Sequence, residues 1–215
     1  MDYIYPIYDF VSENIFIFIG VLFVAGFFYY MHKGVDHRMM YESDEATDLE
    51  RPLYTVLSNT LSDDYAILQN LSVKASSKIF KIDILIISKF GVFVISVKKY
   101  NGLIRGKRKA DRWRHHTYTK LHADYFKNPI HENVVLMRGL EDATNIEYKK
   151  QHSIIVFPDS ARWKKRVDPI TMFAEEVCSY ITKKERVLYT DSEIEAIYDK
   201  LKELNEQGKI SYSSL

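Results

Sequence analysis

The chain has 215 residues, of which 47% are hydrophobic and 27% are charged, and its formal net charge is +1. This composition is typical of a folded globular protein and excludes a disordered chain, and any basic surface must be local. The single cysteine, Cys178, excludes an internal disulfide and a zinc site built from thiolates.

The first predicted element is the uncharged apolar segment IFIFIGVLFVAGFFYYM at residues 15–31. A helix of this length spans about 25 Å, the short end of what crosses a bilayer. It lacks the basic flank of a signal peptide and the polar stripe of a soluble helix. We predict a transmembrane helix at 15–31, after a short external tail (1–14) and before a linker (32–46). Because Lys33 and Arg38 follow the segment and nothing basic precedes it, we expect a single-pass protein of a bacterial-type inner membrane, with its soluble domain in the cytoplasm.

The rest of the chain alternates helical and strand patterns, and we assign residues 47–205 to one domain and 206–215 to a C-terminal tail. Strands are predicted at 65–73, 78–88, 92–100, 112–118 and 152–158, and helices at 49–61, 128–143, 171–183 and 192–204. The short connection between 78–88 and 92–100 makes these two strands an antiparallel hairpin. A sheet that contains a hairpin and carries helices on its faces predicts an α/β fold, a three-layer sandwich around a mixed sheet.

The hairpin holds the residues that carry chemistry. Asp83 lies in an otherwise apolar strand, where a carboxylate is costly unless it is paired or bound to a metal. Ser96 and Lys98 share one face of the next strand, which the hairpin can bring near Asp83. A carboxylate that holds Mg²⁺ and a lysine that steadies the attacking water or the developing charge suit phosphodiester hydrolysis. The same spacing also allows Asp83 and Lys98 to form a structural ion pair.

The stretch IDILIIS-KFG-VFVISVKKYNGLIRG, followed by DRW and KNPIHEN, resembles the NERD (nuclease-related domain) family. That family looks like a branch of the PD-(D/E)xK nuclease superfamily, so the resemblance implies a restriction-endonuclease-like fold and metal-dependent cleavage of DNA. The similarity covers roughly residues 47–145 and extends to the predicted strand at 152–158. The positions that match the family pattern are Glu50, Asp83, Gly91, Lys98, Gly102, Trp113, Asn128 and Pro129.

Two positions depart from the family pattern. The family's Glu two residues before the lysine is Ser96 here, and a neutral hydroxyl is a poor Mg²⁺ ligand. The family's Gln in the Asn-Pro helix is Glu132, which is either a ligand that has migrated to the site or merely a polar residue. Glu50 is either a metal ligand or, with Thr47, part of a helix capping box. The predicted catalytic residues are Asp83, Ser96 and Lys98, and the predicted metal ligands are Asp83, Glu50 and Glu132.

Residues 105–120, RGKRKADRWRHHTYTK, hold seven Lys or Arg residues against one Asp. Such clusters bind phosphates, and aromatic residues between the cations can stack on bases. The predicted nucleic-acid-binding residues are Arg105, Lys107, Arg108, Lys109, Arg112, Trp113 and Arg114. The same stretch also suits a solvated hairpin or a patch attracted to anionic lipid beside the anchor.

Two functional hypotheses follow. In the first, a membrane-anchored NERD-domain protein cleaves DNA with Mg²⁺ at a degenerate Asp-x12-Ser-x-Lys site, which Asp83 and Lys98 favour. In the second, which Ser96 favours, a catalytically inactive protein tethered to the membrane binds nucleic acid or acts as a scaffold. The expected cofactor is Mg²⁺, and the expected partners are the lipid bilayer and nucleic acid, with DNA as the first candidate.

Overall fold

The computed structural model describes residues 49–75, 78–117 and 122–213. The predicted tail 1–14, transmembrane helix 15–31 and linker 32–46 lie outside these residues, so the anchor stays a prediction. Within the described part of the chain, no helix is both long and apolar enough to cross a bilayer. All the described residues belong to one compact unit, Ser43–Leu215.

Nine strands and four α-helices are defined within the described ranges. The strands are β1 (Ala66–Ala75), β2 (Lys78–Ser88), β3 (Gly91–Val97), β4 (Gly102–Arg105), β5 (Arg112–His116), β6 (Asp124–Lys127), β7 (Gln151–Phe157), β8 (Ala161–Arg162) and β9 (Thr171–Phe173). The helices are α1 (Glu50–Thr60), α2 (Pro129–Thr144), α3 (Ala174–Thr182) and α4 (Asp191–Ser213), with a short 3-10 helix at Tyr148–Lys150. Each predicted element has a counterpart in these ranges, but the predicted strand 92–100 ends at Val97, and the first residues of the predicted helix 171–183 form strand β9, so that helix begins at Ala174.

The central sheet has the strand order β1-β2-β3-β7-β9. The first three strands are antiparallel, and β7 and β9 run parallel to β3, so the predicted mixed sheet with an antiparallel hairpin is confirmed. The hairpin closes where Ser88 pairs with Gly91. Gly91 has a φ of 131°, and a Cβ there would lie 2.8 Å from the carbonyl oxygen of Lys150. Only glycine fits this turn without strain.

Helices cover both faces of the central sheet. On one face, α1 and α3 contribute Leu57 and Val177 to a cluster with Ile84 and Ile95. On the other face, α2 and α4 pack their own apolar side chains against β1, β2 and β3, among them Leu140. The strands of the hairpin are apolar on both sides because both of their faces are buried. The fold is α/β, with the hairpin at its centre.

A second sheet with the order β6-β5-β4-β8 was not predicted as a separate layer. Its strands are two to five residues long, too short to show a clear alternation of apolar and polar residues. One face is buried, where Ile104, Trp113 and Phe126 pack against Phe157 of β7 and Ile130 of α2. This packing fixes the second sheet beside the C-terminal end of β7.

The ends of two helices follow from local sequence. The Asn128 side chain accepts a hydrogen bond from the Ile130 amide at 3.0 Å and so caps α2, while Pro129 occupies the first helical position. At α4, the Glu193 carboxylate accepts from the Thr190 amide at 2.7 Å. The helix then continues to Ser213, so most of the segment 206–215 predicted as a tail is helical.

Candidate active site

The pairing of β2 with β3 ends beside Asp83. The last paired residues are Ile84 and Ile95, and the next amide that points toward β2, that of Val97, donates instead to Asp83 Oδ2 at 2.7 Å. The pairing of β1 with β2 is also interrupted at this position, because Asn70, opposite Asp83, has a φ of 53°. The carboxylate therefore replaces a backbone acceptor where the hairpin strands separate.

Burial dominates the electrostatics of Asp83. It raises the pKa of the Asp83 carboxyl, while the Val97 amide and the charges of Lys98 and Lys99 oppose that shift. A carboxyl with a raised pKa in a site that also carries a cation is typical of functional positions, although structural networks produce the same effect.

Lys98 follows the end of β3 and faces α2. Its Nζ donates to Glu132 Oε2 at 2.9 Å, and the two side chains are 18% and 39% exposed, respectively. The backbone amide of Lys98 donates to the Val156 carbonyl at 2.8 Å, which fixes the start of this side chain against β7. Among the described residues, no salt bridge joins Lys98 to Asp83, so the direct ion pair considered from the sequence is not formed. Lys98 contacts Glu132, and its charge also acts on Asp83.

Ser96 is buried, and its hydroxyl has a partner. Ser96 Oγ donates to Asn133 Oδ1 at 2.9 Å, and the Asn133 amide donates to Ser153 Oγ at 2.6 Å and to the Val94 carbonyl at 3.1 Å. Ser96 and Asn133 are 2% and 0% exposed. This network ties α2 to β3 and β7, so the observed contacts of Ser96 hold α2 in place. Because Asn133 follows Glu132 in the helix, the network also helps to position the partner of Lys98.

Glu50 is the first residue of α1, and Pro52 lies within the first turn, where proline is tolerated. Leu49, which precedes the helix, makes no side-chain capping hydrogen bond, and Thr47 lies outside the described residues, so the capping box stays a prediction. Glu50 Oε1 accepts from Gln69 Nε2 at 3.4 Å, and Gln69 pairs with Ile84, the neighbour of Asp83.

An open cavity of about 500 Å³ lies beside Lys98 and Glu132. It is lined by Lys98, Asp111, Lys127, Asn128, His131, Glu132, Val135 and Leu136. Lys98 and Lys127 contribute cations beside the carboxylates of Asp111 and Glu132, so the two lysines could bind an anionic group such as a phosphate. Within the part of the chain that the structure describes, no three His, Cys, Asp or Glu side chains form a group able to hold a metal ion.

The basic stretch forms β4, β5 and the turn between them, and its residues play different parts. Trp113 is 1% exposed and packs against Phe126 and Phe157, so its predicted role in stacking on bases is wrong. Its alternation with exposed Arg112 and Arg114 turns the tryptophan inward. Arg108 forms an ion pair with Asp168. Arg105, Lys107, Lys109, Arg112 and Arg114 are exposed, as a binding surface requires.

Asn133 is the site residue that sequence reasoning missed. It lies on the buried face of α2 with Ile130 and Met137, and its partner Ser96 is 37 residues away in the chain. An asparagine inside a helix has no intrinsic reason to be there, since its side chain competes for backbone hydrogen bonds. That anomaly is the signal that indicates a buried polar contact.

The comparisons with known proteins agree with the sequence pattern. Residues 46–158 match the family described as NERD, nuclease-related domain. A 93-residue stretch is 32% identical to an uncharacterized protein of Bacillus anthracis and covers 43% of this chain and 43% of that protein. The family match begins just before α1 and ends just after β7, so it includes Asp83, Lys98 and Glu132. The chain therefore belongs to the NERD, or nuclease-related domain, family.

Proposed function

We propose that the protein is a membrane-anchored nuclease that hydrolyses phosphodiester bonds of DNA slowly, with Mg²⁺ as its cofactor. The observation that carries this proposal is the position of Lys98. Its ammonium contacts the Glu132 carboxylate at 2.9 Å, its charge acts on the half-buried Asp83, and it lines an open cavity. A restriction-endonuclease-like arrangement, in which a strand hairpin presents the catalytic residues, is consistent with this geometry.

The available carboxylate oxygens suit weak binding of Mg²⁺. Mg²⁺ prefers oxygen ligands and is commonly bound by one or two carboxylates, with water and substrate phosphate in the other positions. Asp83 and Glu132 would hold the ion, and Glu50 is a further candidate. The ion would polarise the scissile phosphate and lower the pKa of a bound water.

The other steps of the proposed mechanism depend on side chains that the fold already orients. The Lys98 ammonium contacts Glu132 at the wall of the cavity and would donate to a phosphate oxygen there, which would stabilise the charge that develops during attack. Asp83 is fixed by the Val97 amide, so its second oxygen can be directed to a ligand without rearrangement of the strand. Ser96 acts through Asn133, by holding α2 and therefore Glu132 in register with Lys98.

Cleavage of supercoiled plasmid by the purified full chain tests this proposal. We expect Mg²⁺-dependent nicking that falls roughly 100-fold or more in Asp83→Asn and in Lys98→Met, since each removes a charge that acts in the transition state. Glu132→Gln should abolish activity if Glu132 is a ligand. Glu185→Gln, at an exposed carboxylate of the α3–α4 connection, is the matched control and should retain activity. Nicking that survives EDTA or is unchanged in Asp83→Asn would refute the assignment.

A second candidate is a nuclease fold that binds nucleic acid or a partner without cutting it. The Ser96 hydroxyl is already bonded to Asn133, and no cluster of three potential ligands is present among the described side chains. Fewer carboxylates mean weaker Mg²⁺ binding and looser geometry for in-line attack. Binding of DNA without cleavage in the same plasmid assay would favour this candidate.

The location of the protein is part of the proposal. The uncharged segment 15–31 would anchor it in a bacterial-type inner membrane as a single-pass protein, and Lys33 and Arg38 support a cytoplasmic domain. In that compartment the domain would have access to DNA. The bilayer and nucleic acid are accordingly the proposed partners.

A further inference from the structure

The second sheet has one exposed face, and each of its four strands contributes to a set of cations there. Residues paired across neighbouring strands lie on the same face. Arg105 of β4 pairs with Arg114 of β5. Arg112 of β5 pairs with Lys127 of β6, and the pairing of β8 with β4 brings Arg162 to the same side. We call this surface the cationic sheet face.

The charge of the cationic sheet face is not neutralised by its surroundings. All five cations are exposed, and none forms a salt bridge with a carboxylate of the described residues. The four strands contain one carboxylate, that of Asp124, which pairs with His115 on the opposite face of the sheet. A sheet face that carries only positive charges favours the binding of an extended polyanion.

An exposed aromatic ring lies within this face. Tyr125 is 58% exposed and pairs with Arg114 across β5 and β6. The guanidinium of Arg112 lies 5.6 Å from the centre of the Tyr125 ring. Exposed aromatic side chains in cationic grooves stack on unpaired bases, and four-stranded sheets bind single strands in this way. A duplex buries the faces of its bases and offers the ring nothing to stack on.

Two cavities lined by residues of the cationic sheet face are suited to bind phosphate groups. One, of about 280 Å³, is lined by Leu103, Arg105, Arg114, His116 and Ala123, and its two guanidinium groups suit a backbone phosphate. The other is the cavity of the candidate active site, which Lys127 lines together with Lys98 and Glu132. Lys127 therefore belongs both to the cationic sheet face and to the wall of that cavity.

We propose that the cationic sheet face binds single-stranded nucleic acid, with phosphates at Arg105 and Arg114 and a base stacked on Tyr125. The bound strand continues past Lys127 into the cavity beside Lys98. Delivery of the strand to that cavity rests on the proposed nuclease function, whereas binding to the sheet face does not.

Fluorescence anisotropy of the full chain with a labelled oligothymidylate, measured in EDTA, tests this binding without cleavage. We expect tighter binding to the single strand than to a duplex of the same length. If all five cations contact phosphates, the log–log slope against salt should be about −3.5, and Arg105→Ala with Arg114→Ala should reduce it to about −2. Tyr125→Ala should weaken binding roughly 5- to 150-fold and leave the slope unchanged.

Two controls separate this surface from general charge effects. Tyr125→Phe keeps the ring and should bind as the wild type does, and Arg186→Ala removes an exposed cation away from the second sheet and should have little effect. An unchanged affinity in Tyr125→Ala, or equal affinity for the duplex, would overturn the proposal. Hydrogen exchange offers a further test. If phosphatidylserine nanodiscs slow the exchange of amides in β4 and β5 and the oligonucleotide does not, the face binds the membrane surface and the proposal is overturned. Single-strand binding without Mg²⁺-dependent cleavage would leave this proposal standing and refute only the nuclease.

Discussion

The buried contact between Ser96 and Asn133 should stabilise the domain measurably. In Ser96→Ala, the Asn133 Oδ1 atom loses its donor at 2.9 Å and stays buried. A buried polar atom without a partner costs about 1–3 kcal/mol. Asn133→Leu also removes the bonds to Ser153 and Val94, so we expect it to cost about 3 kcal/mol or more.

Thermal unfolding of the full chain, followed by circular dichroism, measures both effects. For a chain of this size, 2 kcal/mol corresponds to a decrease in Tm of about 4–8 °C. Because the two side chains act on each other, the double variant should lose about 1 kcal/mol less than the two single losses together. Ser58→Ala, at an exposed position of α1, is the matched control and should change stability by less than about 0.5 kcal/mol.

Two results would refute this reasoning. If Ser96→Ala were as stable as Ser58→Ala, the hydroxyl would not hold α2 against β3. If the losses in the double variant were additive, the two side chains would act independently, and Ser96 would be available for another role, including the catalytic one predicted from the sequence.

Three further predictions concern the site and the anchor. Burial raises the pKa of Asp83, so the stability it contributes is complete below its unfolded pKa and is lost as the pH rises through its folded pKa. Asp83→Asn should therefore gain Tm relative to wild type as the pH rises above about 4, and a relative loss would make Asp83 a stabilising carboxylate. Ser96→Glu places a longer, charged side chain against Asn133 and should lower stability by about 1–3 kcal/mol, and if it folds without cutting DNA or binding metal, the nuclease proposal fails. For the segment 15–31, a C-terminal reporter active only in the cytoplasm should work, whereas release by a carbonate wash would exclude the anchor.

Short local sequence patterns specify much of the fold. The apolar runs of β2 and β3, joined by a turn that needs Gly91, specify a buried hairpin without any knowledge of their neighbours. The helix α2 is similarly marked by Asn128 and Pro129 at its start. In each case the physical cause lies within a few residues, which is why the pattern suffices.

Local sequence patterns specify only part of the candidate site. The proximity of Asp83 and Lys98 follows from the hairpin, but the bond from the Val97 amide depends on where the strands separate. The partner of Lys98 comes from a helix 34 residues further along, and that of Ser96 from the next residue of the same helix. Packing between distant segments decides these contacts, so sequence patterns alone leave them open.

The error over Trp113 has a different cause. Its place among cations suggested an exposed ring, yet the strand alternation of Arg112, Trp113 and Arg114 already places the ring opposite the two charges. The exposed aromatic residue of this sheet is instead Tyr125, which lies outside the basic stretch.

Binding of Mn²⁺ to the full chain, followed by electron paramagnetic resonance, tests the central claim most directly. Mn²⁺ accepts the same oxygen ligands as Mg²⁺ and reports binding without catalysis. We expect weak binding by the wild type and by Glu185→Gln, and loss of that binding in Asp83→Asn. Binding that is absent from the wild type, or unchanged in Asp83→Asn, would contradict a metal-dependent nuclease site at the β2–β3 hairpin.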